Sequence, residues 1–373
     1  MVTIAAASSY EPKSTLKTFF NSFTKENRKI KKINKELDEK LSKETILYYP
    51  EDDVLLKNVD ILKEIDVSMQ NLKLSEEGTN ALKDFEDMGG SFGTSKKLNV
   101  GGSYLSWDVK ILLTTATKAK KKPDNETQAN LTNTISHELN HAVQDENTYE
   151  NDYIENIKYD SIQKIMLDAI TKESSSKAAE FVTAYQIATN PKEPNKEMLY
   201  AFKESNKKIY QAGMKSLGYK EIDYIRSPFV IELKQKSKED IEKSRVASFK
   251  SWGEDKGLID GYGEYYGEHI FKSKHNKLSQ RGKKLDFKKA LDVLFVKSGK
   301  EKKVENNLSE DDIIDNNFIK ICDKCHGEIK KRYLESGHKR EAVDELLENY
   351  QSFRKNYYTK KTLTNKKRLN NQR

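Results

Sequence analysis

Two histidines and a glutamate within five residues give this chain its clearest chemical signal. The segment His137-Glu138-Leu139-Asn140-His141 has the pattern HExxH. On a helix, residues four apart share one face, so both imidazoles can reach a single metal ion while the glutamate lies beside it. Imidazole is a good zinc ligand, and catalytic zinc keeps one position for a water whose pKa it lowers to about 7. The segment therefore predicts metal-assisted hydrolysis, and a peptide bond is the substrate bond that we favour.

The residues around the motif favour a helix. Pro123-Asp124 provides a helix start, and we expect an amphipathic helix of about 20 residues with the motif inside it. The competing interpretation is a surface helix that carries two histidines and a glutamate by accident. The apolar residues that recur at helical spacing are Leu131, Ile135, Leu139, Ala142 and Val143.

The longer string from residue 136 to 144, SHELNHAVQ, resembles the zincin metallopeptidases, including proteases that bacteria inject into host cells. The resemblance covers the motif helix and the one or two helices that follow. It implies that His137 and His141 ligate Zn²⁺, that Glu138 is the general base, and that the substrate is a protein or peptide. It also implies a strand ahead of the helix, Tyr104 to Leu113, whose edge pairs with an extended substrate.

The third metal ligand is left open by the sequence. The metzincin pattern HExxHxxGxxH fails, because Gln144 and Asn147 stand where its glycine and third histidine belong. A gluzincin-like site takes a glutamate from a later helix, and residues 172–188 have a helical pattern. There we favour Glu180, whose small neighbours would let two helices approach closely. Glu173, seven residues earlier on about the same face, is the next choice.

Residues 260–269, DGYGEYYGEH, form an unusual cluster of glycine and tyrosine. Asp260 is an aspzincin-like alternative for the third ligand, although the match is partial. In zincins a tyrosine or histidine often stabilises the oxyanion, and Tyr185, Tyr262 or His269 would be the candidates. The interpretation we favour for the cluster is a glycine-rich aromatic turn packed on the core.

Cys322-Asp323-Lys324-Cys325-His326 matches the string that attaches c-type haem. We reject haem attachment, because residues 1–7 have no basic region ahead of their brief apolar run, and we expect no signal peptide. A second zinc site that adds His338 lacks the usual paired spacing. We expect two incidental, reduced cysteines on a helix.

Charge is concentrated at the C-terminal end. The net charge is +8, and residues 353–373 contain eight basic residues and no acidic one, which accounts for the whole excess. We predict a disordered basic arm that could contact an acidic lipid, nucleic acid or an acidic partner, or only keep the protein soluble. The chain has no run of 18 apolar residues, so we expect no membrane span.

The predicted fold is α+β, helix-dominated, with a small sheet against the motif helix. Residues 98–113 have the pattern of a hairpin or two short strands, and residues 89–96 that of a flexible turn before them. We divide the chain into a polar, helical segment (1–45), a zincin-like metallopeptidase domain (46–275), a helical region (276–352) and the basic tail (353–373).

Two classes of function remain. The first is a zinc endopeptidase acting on protein, cytoplasmic in the producing cell and, by the resemblance, a translocated bacterial effector. The second is a non-catalytic helical binding or scaffold protein whose HExxH is accidental or degenerate. The oligomeric state is not indicated by the sequence.

Overall fold

The computed structural model describes residues 47–48, 59–95, 101–106, 108–114, 125–153, 160–254, 256–274 and 285–370. The segment 1–45 and the expected helix start at Pro123-Asp124 lie outside this part of the chain. Most of the described residues are helical and a small sheet packs against them. The helix-dominated α+β class predicted from the sequence is therefore confirmed.

Four strands form one mixed sheet in the order β1-β2-β4-β3. They are β1 (Leu47–Tyr48), β2 (Ser91–Ser95), β3 (Gly102–Leu105) and β4 (Lys110–Thr114). Strand β4 runs parallel to β2 and antiparallel to β3, which gives the expected hairpin. Because β4 lies between β2 and β3, it is an inner strand, and the edge of the described sheet next to α3 is β3. The expectation that the whole of Tyr104 to Leu113 forms the edge is wrong.

The segment from 89 to 96, expected to be a flexible turn, instead contains strand β2. Phe92 is buried and packs edge-on against Phe85, with their ring centroids 5.4 Å apart. Its backbone pairs with Ile111 in β4. The glycines of this segment suggested a turn, but the buried aromatic ring and the parallel partner strand determine its structure.

Helices make up most of the rest of the described chain. They are α1 (Val59–Leu72), α2 (Glu76–Asp87), α3 (Asn125–Glu150), α4 (Ile162–Ala188), α5 (Lys196–Ser205), α6 (Lys207–Ser216), α7 (Glu221–Ile225), α8 (Lys238–Ser251), α9 (Lys256–Lys274), α10 (Phe287–Leu294), α11 (Glu310–Ile313), α12 (Asn316–Glu335), α13 (Arg340–Leu346) and α14 (Glu348–Asn370). None of the described helices is both long and apolar enough to cross a membrane.

Helix α4 lies at the centre of the fold. Ser161 caps its N-terminus by accepting a hydrogen bond from the backbone N–H of Lys164. Its buried residues go all the way round, as expected of a helix covered on every side. Small residues at 174–176, all serine, let α3 lie close along one face. The two helices that carry the candidate site are thereby held side by side.

Two buried clusters fix these helices. The smaller joins the sheet to α3 through Phe92, Ile111 and Leu139. The larger surrounds α4 and includes residues from both sides of position 275, among them Phe181 and Ile319. The proposed boundary at 275 therefore falls within one shared core.

The C-terminal segment is helical, contrary to the expected disordered arm from residue 353. Phe353 packs on Phe318 of α12, and Arg354 forms an ion pair of 2.8 Å with Asp323. Tyr350 donates a hydrogen bond of 2.8 Å to the same carboxylate. The charge run predicted disorder, but aromatic residues at helical spacing anchor the first turns of α14.

Candidate metal centre

Helix α3 presents the two motif histidines on one face, one turn apart. Their Nε2 atoms lie 3.1 Å apart. Leu139 and Ala142, on the side of the helix that packs on the sheet, are fully buried. Because that face is held by the core, the imidazoles of His137 and His141 are turned towards α4.

Helix α4 supplies a carboxylate at the same point. Glu173 Oε2 lies 3.3 Å from Nε2 of His137, and Glu173 Oε1 lies 3.6 Å from Nε2 of His141. One potential ligand atom from each of the three residues falls within 4.8 Å of the others. In the described part of the chain, this is the group with the composition and spacing to hold a metal ion.

Glu180, the expected third ligand, lies at a different level of the same helix. It is buried, and its Oε2 atom lies 3.4 Å from Nδ1 of His137, the ring nitrogen that does not face Glu173. Seven helical residues return to nearly the same face but rise by about 10.5 Å, so Glu173 and Glu180 reach different edges of one ring. Lys177 Nζ lies 2.6 Å from Glu180 and supplies the cation that a buried carboxylate needs.

The other histidine is oriented by an amide. Gln144 Oε1 lies 2.9 Å from Nδ1 of His141, and Ser176 Oγ lies 3.2 Å from the same nitrogen. The Gln144 amide nitrogen donates to the carbonyls of Lys172 and Leu294, at 2.9 and 3.1 Å. Sequence reasoning noted Gln144 as the end of the string that resembles zincins and as a departure from the metzincin pattern, but gave it no role, and its position three residues after the second histidine was the available signal.

Both rings therefore have an oxygen atom beside Nδ1 and the Glu173 carboxylate beside Nε2. A neutral imidazole with its proton on Nδ1 has its lone pair on Nε2. In that tautomer the lone pairs of His137 and His141 and the oxygens of Glu173 converge on one position. Two lone pairs and an anion at such distances repel each other unless a cation or a proton lies between them, so these residues fit a metal ion.

The charged groups of the centre shift one another's pKa values. Burial and Lys177 act to lower the pKa of His137, but Glu173 and Glu180 outweigh them and raise it to about 9. Burial lowers the pKa of His141. Although burial opposes it, the two histidines and Tyr262 bring the pKa of Glu173 down to about 2. Without metal, the centre is an anionic glutamate beside a protonated His137.

Glu138 faces the edge strand of the sheet. Its Oε2 atom accepts a hydrogen bond of 2.8 Å from the backbone N–H of Tyr104 in β3. Gly102 makes this approach feasible, because a Cβ atom there would lie 2.8 Å from Thr134 Cγ2 and 3.1 Å from Glu138 Cγ. Glu138 is thus held at the outward side of β3, and its charge acts on both His141 and Tyr262.

Tyr262 reaches the centre, whereas the other two oxyanion candidates do not contact it. The Tyr262 hydroxyl donates a hydrogen bond of 2.8 Å to Glu173 Oε2. Tyr185 instead donates to the carbonyl of Lys234, at 2.6 Å. His269 is exposed and stacks on Tyr265. Residues 260–269 lie within helix α9, so the expected glycine-rich turn is wrong.

The remaining candidates lie outside the metal-binding group. Asp260 forms an ion pair of 3.3 Å with Lys324. Cys322 and Cys325 are buried, reduced thiols in α12, and burial raises the pKa of Cys322. Among the described residues, neither cysteine belongs to a group that could hold a metal. The ring of His338 packs edge-on against Tyr333, 5.1 Å away.

Comparison of the chain with family models, with curated proteins and with solved structures gave no match. The geometry around His137, His141 and Glu173 therefore carries the functional conclusion.

Proposed function

We propose that the protein is a zinc-dependent metallopeptidase that hydrolyses peptide bonds in a protein substrate. One observation carries the proposal: the Nε2 atoms of His137 and His141, on the helix that also presents Glu138, lie 3.1 Å apart and meet the carboxylate of Glu173 from α4. Two imidazoles and a carboxylate are a ligand set of catalytic zinc sites, which leave a position for water. The competing class, a non-catalytic scaffold, does not require this convergence of buried and partly buried groups.

Glu173 replaces Glu180 as the proposed third ligand. The carboxylate oxygens of Glu173 lie on the Nε2 side of both imidazoles, whereas Glu180 lies beside Nδ1 of His137. A carboxylate beside the second nitrogen of a histidine ligand fixes the orientation of the ring and raises its basicity. We assign that role to Glu180, and the same orienting role for His141 to Gln144.

Bound zinc would act as a Lewis acid and lower the pKa of the nucleophilic water. Glu138 would accept a proton from the attacking water and pass it to the leaving amine as the peptide C–N bond breaks. The backbone N–H of Tyr104 holds the Glu138 carboxylate at the edge of β3. Because the N–H of Tyr104 points away from β4, this side of β3 also offers backbone groups for pairing with an extended substrate.

Tyr262 is the proposed donor to the oxyanion. Its hydroxyl donates its single proton to Glu173 at 2.8 Å when no substrate is bound, and it would turn that proton to the substrate carbonyl oxygen as charge develops there. Burial and the charge of Glu173 raise the pKa of Tyr262 far above its ordinary value. The phenol consequently keeps its proton at neutral pH and can act as a donor.

Cleavage of unfolded protein tests the proposal. Zinc-loaded wild type, incubated with reduced and denatured casein, should release peptides, whereas Glu138→Gln should release them at least about 10²-fold more slowly with its zinc retained. Glu126→Gln, an exposed glutamate on the same helix, is the matched control and should behave as wild type.

Two outcomes would contradict the proposal. Equal cleavage by wild type and Glu138→Gln would remove the catalytic role of Glu138. A protein that binds zinc but cleaves neither casein nor a random peptide mixture would belong to the non-catalytic class.

A further inference from the structure

Aromatic side chains form a stripe along α9 that starts at the metal centre. Tyr262, Tyr265, Tyr266 and His269 are separated by three and four residues, which places them on one face of the helix. The rings of Tyr262 and Tyr266 are stacked with their centroids 6.3 Å apart. The rings of Tyr265 and His269 lie 6.2 Å apart and nearly parallel, at 3°. We call these four residues the aromatic stripe.

The neighbouring face of α9 holds the aromatic stripe in place. A Cβ atom at Gly263 would lie 2.6 Å from Lys324 Cβ, and one at Gly267 would lie 2.7 Å from Glu328 Cβ. The two glycines let α9 press against α12 at a distance that larger residues would not permit. The glycines thus explain the composition of residues 260–269: they form a packing face, and the tyrosines form a second face beside it.

The stripe is continuous with the proposed site at one end and open to solvent at the other. At the inner end, the hydroxyl of Tyr262 donates a hydrogen bond to Glu173. At the outer end, 63% of the Tyr265 surface is exposed. From Tyr262 to His269 the helix rises by about 10.5 Å, which equals about three residues of an extended peptide. A substrate strand that leaves the metal centre along α9 would meet the exposed rings two or three residues from its scissile bond.

We propose that the aromatic stripe is a specificity surface for an aromatic or large apolar side chain of the substrate, two or three residues from the bond that is cut. The inference rests on the proposed peptidase function. Exposed parallel rings such as those of Tyr265 and His269 offer faces and edges on which another ring packs favourably. The flanking Glu268 pairs with Lys272 at 2.6 Å and with Arg332 at 3.3 Å, which leaves no unbalanced charge from Glu268 beside the rings.

A random decapeptide mixture, analysed by mass spectrometry after cleavage, tests this surface. Wild type should prefer Phe, Tyr, Trp or Leu at one position two or three residues from the cut. Tyr265→Ala should weaken that preference and reduce kcat/KM for the favoured peptides by about 2- to 10-fold, with zinc content unchanged. Tyr358→Ala, at an exposed tyrosine on α14, is the matched control and should leave the preference intact.

A binding measurement separates failure of the stripe from failure of the peptidase proposal. The same mixture is captured on immobilised Glu138→Gln protein and on the double variant with Tyr265→Ala. Enrichment of aromatic peptides by the first protein and its loss in the second support the stripe even if wild type cleaves nothing. Equal capture of aromatic and non-aromatic peptides, or cleavage without preference at these positions, would overturn the stripe and leave the peptidase proposal standing.

Discussion

The imidazole of His137 lies between two carboxylates of one helix: Glu180 is 3.4 Å from Nδ1, and Glu173 is 3.3 Å from Nε2. Only the Nε2 edge also faces His141, 3.1 Å away. The two glutamates therefore differ in what they can do, although they share a face of α4. One can share a metal ion with both histidines, and the other can orient a single ring.

Glu173→Gln and Glu180→Gln should consequently weaken zinc binding to different degrees. Loss of a group that orients a ligand typically reduces metal affinity by about 10- to 100-fold, which we expect for Glu180→Gln. Glu173→Gln removes a ligand and should cost more than that. Competition with a fluorescent zinc chelator measures both affinities. A larger loss in Glu180→Gln would restore Glu180 as the ligand and contradict our assignment.

Zinc binding should release at least the proton of His137 at neutral pH. The pKa of His137 is raised to about 9, so the ring is protonated without metal and must lose its proton to bind zinc. The pKa of His141 is lowered and that of Glu173 is about 2, so neither contributes a proton. Calorimetry in two buffers of different ionisation enthalpy counts the protons, and a count of zero at pH 7 would contradict the assignment.

The raised pKa of His137 also makes the stability of the metal-free protein depend on pH. That stability should fall as the pH rises. A raised pKa means that the folded state binds the His137 proton more tightly than the unfolded state does. This stabilisation is complete below the ordinary histidine pKa of about 6.5 and is lost as the pH rises through about 9. Denaturation of the metal-free protein should show this fall, and His137→Phe should reduce it.

Tyr262→Phe removes the hydroxyl that faces Glu173 and keeps the stacked ring. We expect kcat to fall by about 10²- to 10³-fold, the usual cost of one oxyanion donor. Zinc affinity should fall by a smaller factor than kcat, because the Glu173 carboxylate keeps its contacts with both histidines. Turnover of a cleaved peptide and chelator competition give the two quantities. Unchanged kcat with weaker zinc binding would mean that Tyr262 positions Glu173 and does not donate to the oxyanion.

Gly102→Ala should impair turnover without removing zinc. The added Cβ would lie 2.8 Å from Thr134 Cγ2, so we expect β3 to move away from α3. The hydrogen bond from the Tyr104 backbone N–H to Glu138 would then lengthen. A misplacement of about 1 Å can reduce the rate by about 10²-fold. Thr134→Ser removes the clashing methyl group and should restore part of the activity to the double variant, because the added Cβ would still lie 3.1 Å from Glu138 Cγ. Full activity of Gly102→Ala alone would show that the close approach is not needed.

The motif helix and the position of its histidines could be predicted because a spacing of four residues determines a shared face. The third ligand could not, because the level at which α4 passes α3 depends on distant contacts. Ser175 and Ser176 meet Asn140 at 3.3 and 3.2 Å, and Ser175 also meets the carbonyl of Val296. Small neighbours around Glu180 correctly indicated a close helix contact, but Lys177 rather than a metal balances its charge.

The glycines of α9 and the basic residues of α14 were misinterpreted for a related reason. Glycine and like charges disfavour an isolated helix, and sequence reasoning gave those local tendencies full weight. In the folded chain Gly263 and Gly267 gain close packing against α12, and Phe353 gains a contact with Phe318. Tertiary contacts of this kind are specified by residues that lie far apart in the sequence.

Metal analysis of the purified protein is the most direct test of the central claim. Wild type, His137→Ala, His141→Ala, Glu173→Gln and the control Glu126→Gln are loaded with zinc, dialysed together and measured by elemental analysis. We expect about one zinc per chain in wild type and control, and loss of most of it in the other three variants. No zinc in wild type, or equal zinc in all five proteins, would contradict the metal centre and the function built on it.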